Sequence, residues 1–240
     1  MELFTDNTVS RFLVKLRRAL QLTGQWEVAL AEISYPTLWE NVDSKHCRLA
    51  INTDGKSWRE FGVTPGYYTD NLTFIRTLER EIGEITGGQR ILHYDERQRR
   101  VTMDLPANTS IQLYDGIAHI LGYPSAIKLD GPKRYYPPGS VDVNHGVYNL
   151  YVYADIVTPQ LVGDAEVPLL STVSFDAFRL NERPEVSTKV FQKLHYIPVN
   201  RPFSDTILID IKDSTGEAIP FLVGKIIVKL HFRQRRPAFV

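Results

Sequence analysis

The feature that most constrains this chain is strict two-residue alternation over its last long stretch, Thr206 to Arg233. Ile207, Ile209 and Ile211 fall on one face of the first run. In the second run Ile226, Val228, Leu230 and Phe232 fall on one face, with Lys225, Lys229, His231 and Arg233 opposite. Successive side chains alternate between faces only in an extended strand, so both runs are read as strands with one apolar face. Asp213-Ser-Thr-Gly216 carries turn residues between them, which predicts a hairpin. A strand of this length is expected in the middle of a sheet, with a second layer over its apolar face.

Upstream the same period recurs. Val9 to Leu16 fits a strand, with Phe12, Val14 and Leu16 alternating, although Phe12, Leu13, Leu16 and Leu20 also suit a helix; the strand is favoured. Trp26 to Ile33 is a strand after Gly24 and ends at Tyr35-Pro36, because proline has no donor for a ladder. On strict alternation it places Trp26, Val28, Leu30 and Glu32 on one face. Trp39 is expected to anchor a corner. Tyr148 to Asp155, Pro168 to Ser174 and Thr188 to Val199 are further strands, and Val157-Thr-Pro159 breaks the pattern between the first two.

The middle third differs. Cys47 to Asn52 is a short strand closed by Thr53-Asp-Gly55. Leu72, Ile75, Leu78 and Ile82 recur at helical spacing, with Thr69 or Asp70 as cap and Gly87-Gly88 as terminator. Ile91–Tyr94 and Arg100–Leu105 form a hairpin, and Tyr114–Leu121 a short helix. Pro124 to Val143 carries too many breakers for regular structure. Connections in the C-terminal half are too short for helical crossovers, so the sheets are antiparallel. The expected architecture is mainly β: a single jelly-roll β-sandwich with a small α+β insertion. Residues 1–43 hold its first strands, 44–125 the insertion and 126–240 the remaining strands.

Chemistry is hard to find. The charges balance at 28 basic and 28 acidic residues, so the overall field favours no polyanion. The single cysteine, Cys47, excludes an internal disulfide and fits a reducing compartment. No run of 18 apolar residues suits a membrane span, and the first residues do not read as a secretion signal. His46, His93, His119, His145, His195 and His231 show no metal-ligand spacing. His46 and Cys47 are adjacent on a strand and point to opposite faces, so they do not make a base and nucleophile. No nucleophile elbow, phosphate loop or dinucleotide fingerprint occurs. Glu32 could be a catalytic carboxylate but reads better as a hydrogen-bonded carboxylate that fixes a loop or a subunit contact, since no second carboxylate is placed to work with it. No catalytic, cofactor-binding or metal-binding residue is assigned, and no cofactor is expected. Arg97, Arg99 and Arg100 read as a solvated turn. Arg233, Arg235 and Arg236 read the same way, with nucleic-acid contact by a basic C-terminal arm as the alternative. Tyr67, Tyr68, Tyr135, Tyr136, Tyr148, Tyr151 and Tyr153 divide between core and interface.

Three stretches resemble one family. Gly24-Gln-Trp-Glu-Val-Ala-Leu-Ala-Glu-Ile-Ser-Tyr-Pro36 with Trp39 resembles an opening motif of polinton (Maverick) and adintovirus-like proteins. Tyr151-Val-Tyr-Ala-Asp-Ile-Val-Thr-Pro-Gln-Leu-Val-Gly-Asp164 with Pro168-Leu-Leu170 resembles their middle motif. Tyr196-Ile-Pro-Val with Ile207-Leu-Ile-Asp-Ile-Lys-Asp-Ser-Thr-Gly216 and Pro220-Phe-Leu-Val-Gly-Lys-Ile-Ile-Val-Lys-Leu230 resembles their closing motif. Arg17-Arg18 departs from that pattern, which has a proline-containing turn there. The resemblance implies a minor capsid (penton) protein with a single jelly roll, forming homopentamers at icosahedral vertices beside a major capsid protein, and hence a location in the virion. It implies no catalytic residues. Pro159, Gln160, Gly163 and Asp164 are inferred to form an inter-strand corner or a subunit contact. The alternative from the fold alone is a jelly-roll carbohydrate- or protein-binding module, with Tyr135 and Tyr136 as a stacking platform.

Overall fold

Alternation at both ends of the chain is carried by long strands in a computed structural model that describes residues 4–44, 47–174 and 185–235. The chain divides into two units, one of residues 1–39 and 147–240 and one of residues 40–146. The expected insertion covered 44–125. Residues 126–146, expected with the late strands, lie in the second unit instead.

The first unit opens with β1 (Arg11–Gln21) and β2 (Trp26–Pro36). The helical alternative for β1 does not occur. A register shift between Lys15 and Leu20 places Arg17 and Arg18 in an irregularity that bends the strand.

The second unit follows: β3 (Arg48–Asn52), β4 (Arg59–Gly62), α1 (Asn71–Thr86), β5 (Leu92–Asp95), β6 (Arg100–Leu105), β7 (Ser110–Leu113), α2 (Asp115–Ile120), β8 (Ile127–Asp130) and β9 (Lys133–Tyr135). Its sheets run β4-β3-β7-β8 and β5-β6-β9. Asp70, not Thr69, caps α1, accepting at 2.8 Å from the Thr73 amide. The helix buries Phe74, Ile75, Leu78 and Ile82 and ends on Gly87, whose φ of 68° suits glycine. The loop expected over Pro124 to Val143 contains two strands, β8 and β9. Each is short and draws its order from a neighbour, β7 or β6, that already has its own partner. Tyr135 clips the turn between them: its hydroxyl donates to the Asp130 carbonyl at 2.7 Å and accepts from the Asp130 amide at 3.0 Å. The unit's two ends are held together, Asn41 Nδ2 donating to Asn144 Oδ1 at 3.3 Å.

The chain returns to the first unit with β10 (Asn149–Ala154), β11 (Gln160–Val162), β12 (Ala165–Val167), β13 (Leu169–Ser174), β14 (Val186–Val190), β15 (Ile197–Pro198), β16 (Phe203–Lys212) and β17 (Ile227–Gln234). One sheet runs β1-β16-β10-β13, all neighbours antiparallel. In the other, β17 lies along one side of β2 and β14 and β15 along the other. Ile207, Ile209, Ile211, Leu150 and Val152 of the first sheet share one core with Val28, Leu30, Ile33 and Tyr35 of the second. This is a two-layer antiparallel sandwich. Trp39 is buried as a corner and bridges Phe221.

The predicted hairpin between the last two strands does not form. β16 lies between β1 and β10, whereas β17 crosses to the other sheet and, among the described residues, pairs only with β2. The connecting residues 213–226 suffice to change layer, and Lys212 bridges Ala218 within them. The interior position expected for this stretch therefore belongs to β16, and β17 is an edge.

Candidate functional site

The residues screened for chemistry are scattered. Cys47 is buried beside the Ser44 carbonyl, and burial pushes its thiol up, away from the thiolate form. His46 lies outside the described residues, as does Arg236. His119 Nε2 sits 2.8 Å from the Pro124 carbonyl, and His231 Nδ1 is 2.8 Å from the Tyr196 hydroxyl. Among the described residues no three His, Cys, Asp or Glu side chains gather to hold a metal ion. No described helix is long and apolar enough to cross a membrane.

Glu32 does not lie on the core face that strict alternation gave it. The register between β2 and β17 shifts between Lys229 and Leu230, because β2 carries one extra residue, Ala31, opposite that step. One inserted residue reverses the faces beyond it. Glu32 therefore points outward and meets Lys229 Nζ at 2.7 Å. Beside it Glu27 holds Arg233 at 2.9 Å and Arg235 at 3.7 Å. The Arg233 guanidinium lies 3.5 Å from the Tyr196 ring centroid. Two of the three arginines read as a C-terminal cluster are thus engaged on the sheet's outer face.

The tyrosine pair splits. Tyr135 is tied to Asp130, while Tyr136 is 69% exposed.

Pro159, Gln160, Gly163 and Asp164 fall together on one projection, the hairpin β11–β12. The amide of Thr158 donates to the Pro198 carbonyl just before it. Gln160 Nε2 donates to the Leu169 carbonyl at 2.7 Å and fastens the base of the hairpin to β13. Gly163 and Asp164 are its two-residue turn, and the Gly163 φ of 63° is one that a side chain disfavours. Below the base, Asp155 accepts from the Leu208 amide at 2.9 Å and from Arg201 at 2.6 Å. The projection is acidic: residues 156–172 include Asp164 and Glu166 and no cation. At its middle Leu161 is 83% exposed. Sequence reasoning missed Leu161, because three-residue strands are too short to show alternation.

The second surface of this unit is the open side of the sandwich. Here, among the described residues, β1 and β17 are each an edge of their own sheet, and between them lies a recess of about 410 Å³ lined by apolar side chains. Phe12, Val14 and Leu16 form one wall, and Ile226, Val228 and Leu230 the other. These side chains belong to the inward faces, yet Val14 remains 43% exposed. The sequence signal for this edge is the composition of β1, with four cations and no carboxylate.

No protein-family model and no curated protein matches the chain. Solved structures do. A crystal structure of the mavirus penton protein superposes with a TM-score of 0.51, covering 92% of this chain and 90% of that one at 11% identity. The chain has the fold of the mavirus penton protein. A cryo-EM structure of the Sputnik virophage aligns over 94% of this chain and 92% of that one, with 11% identity and a TM-score of 0.41. The fold is thus mainly β, as the alternation indicated, and it is shared with the mavirus penton protein.

Proposed function

We propose that this protein is a structural minor capsid protein of the penton type, built into a virion. The observation that carries this reading is the shared fold with the mavirus penton protein over 92% of the chain. The three motifs of the polinton-like pattern, in both the early and late strands of the sandwich, point the same way. A penton fills an icosahedral vertex, so five copies must close head to tail through one heterologous contact, and the ring must meet a major capsid protein outside it. Pro159, Gln160, Gly163 and Asp164 are assigned to that subunit contact. The outer-face pairing of Glu27 with Arg233 and Arg235 supports a structural role for these two arginines.

The test is the mass and shape of the purified protein, alone and with its major capsid partner. Five chains of 27.5 kDa give roughly 138 kDa by light scattering, and pentagonal particles by electron microscopy. A chain that stays monomeric at high concentration and joins no particle with its capsid partner refutes the proposal.

A further inference from the structure

The hairpin β11–β12 and the recess between β1 and β17 lie in one unit and cannot serve each other within one chain. The hairpin springs from β10 and β13, whereas the recess lies at β1, the opposite end of the same sheet. The hairpin's Val167 borders a different hollow, with Pro168, Tyr153 and Asp210. None of its residues lines the recess. Each surface also lacks what the other has. The hairpin presents an exposed leucine directly across from Glu166 and close to the Asp164 turn, on a stretch with no cation. The recess is apolar, and the edge strand β1 along it contains Arg11, Arg17 and Arg18 and no carboxylate. Asp205 and Asp210 of the adjoining β16 offset only part of this charge, while Lys229 and Arg233 on the β17 rim are engaged by Glu32 and Glu27.

We infer that the β11–β12 hairpin of one copy docks into the β1–β17 recess of the next, Leu161 entering the apolar gap and Asp164 and Glu166 meeting the β1 cations. The occupant is a second copy of this chain, and the contact rests on the assembly reading above. Complementary apolar shape and opposite charge on different faces of the same protein give a heterologous, head-to-tail interface, the kind that closes into a ring when its rotation permits. The charged rim fixes orientation, and the leucine supplies the anchor that excludes water. Because the rim is solvated, the contact weakens as salt is raised.

Light scattering and a covalent trap test this together. Leu161→Asp alters an exposed side chain, so it keeps the wild-type melting temperature while raising the apparent dissociation constant at least about tenfold, since an unpaired carboxylate must enter an apolar gap. The pair Asp164→Lys and Glu166→Lys weakens assembly similarly, and adding Arg17→Glu and Arg18→Glu restores it. A chain carrying both Val14→Cys and Leu161→Cys gives, under mild oxidation, a ladder of disulfide-linked chains on a non-reducing gel, absent from either single variant. If Leu161→Asp assembles as tightly as wild type, or if the disulfide closes within one chain, the docking is wrong while assembly itself stands. If the wild-type chain never assembles, alone or with its capsid partner, both readings fall.

Discussion

Ile209→Asp places a carboxyl in the centre of the sandwich. Ile209 is 3% exposed on β16, opposite Phe12 of β1 and Ala154 of β10, and its side chain belongs to the apolar core. Replacing a buried isoleucine by a much smaller side chain costs about 2–5 kcal/mol through lost transfer energy and a residual cavity. The carboxyl adds a second cost. If it enters protonated at pH 7, moving a group of unfolded pKa near 3.9 into its neutral form costs about 4 kcal/mol. The sum of roughly 6–9 kcal/mol consumes most of the 5–15 kcal/mol typical of a folded domain. The sign of the pH effect follows. The folded-state pKa is raised, so the folded form binds more protons, and the penalty grows as pH climbs above about 4. Denaturant melts of Ile209→Asp and Ile209→Ala, each compared with wild type at pH 4 and pH 7, measure both costs. The Ala variant is expected to lose about the same at either pH. The Asp variant should lose several kcal/mol more at pH 7 than at pH 4. A soluble Asp variant with the wild-type midpoint at pH 7, or with no extra loss between the two pH values, would refute the inward assignment of this face.

Other expectations concern the second unit. Burial acts to raise the Asp70 carboxyl, but bonds from the Thr73 amide, from the Thr69 and Thr73 hydroxyls and from the Leu72 amide outweigh it and hold it below the usual range. Asp70→Ala should therefore cost about 0.5–2 kcal/mol at neutral pH in a chemical melt. The difference from wild type is present above the unfolded pKa near 3.9 and disappears as pH falls through the lower folded value. Gly131→Ala would set a Cβ against the Pro106 carbonyl, a backbone group that cannot swing away. A loss of at least about 1–3 kcal/mol is expected, with amide exchange accelerated first in β8 and β9. Cys47, buried and with its thiol pushed up, should resist a thiol-specific dye in the native protein and react promptly in denaturant; fast native labelling would contradict its placement.

What could be read from the sequence was whatever a single strand or helix announces by itself. The alternation of Ile207–Ile211 and Val228–Phe232 reports an apolar face, and both strands have it. It does not report the neighbour, so two successive strands taken for a hairpin belong to different layers. The helix α1 was legible because four turns of spacing, an acid cap and a glycine stop agree. Glu32 was misplaced because a bulge is invisible in a period count: one residue, Ala31, reverses everything after it. In residues 124–143, proline and glycine mark turns but do not forbid four- and three-residue strands supplied with partners by β7 and β6. For the candidate contact, Gly163-Asp164 carried turn chemistry and could be located. Leu161 and the β1–β17 recess emerge only after the fold has set each on its own side of the sandwich.

The hydrogen bond between Asn41 and Asn144 joins the two ends of the excursion that residues 40–146 make. A segment whose entrance and exit are pinned side by side makes no demand on the length of what lies between them. It can be enlarged, pared down or exchanged for another module while the strands before and after it keep their pairing. The sandwich and the excursion are then free to diverge at different rates, each answerable to its own core.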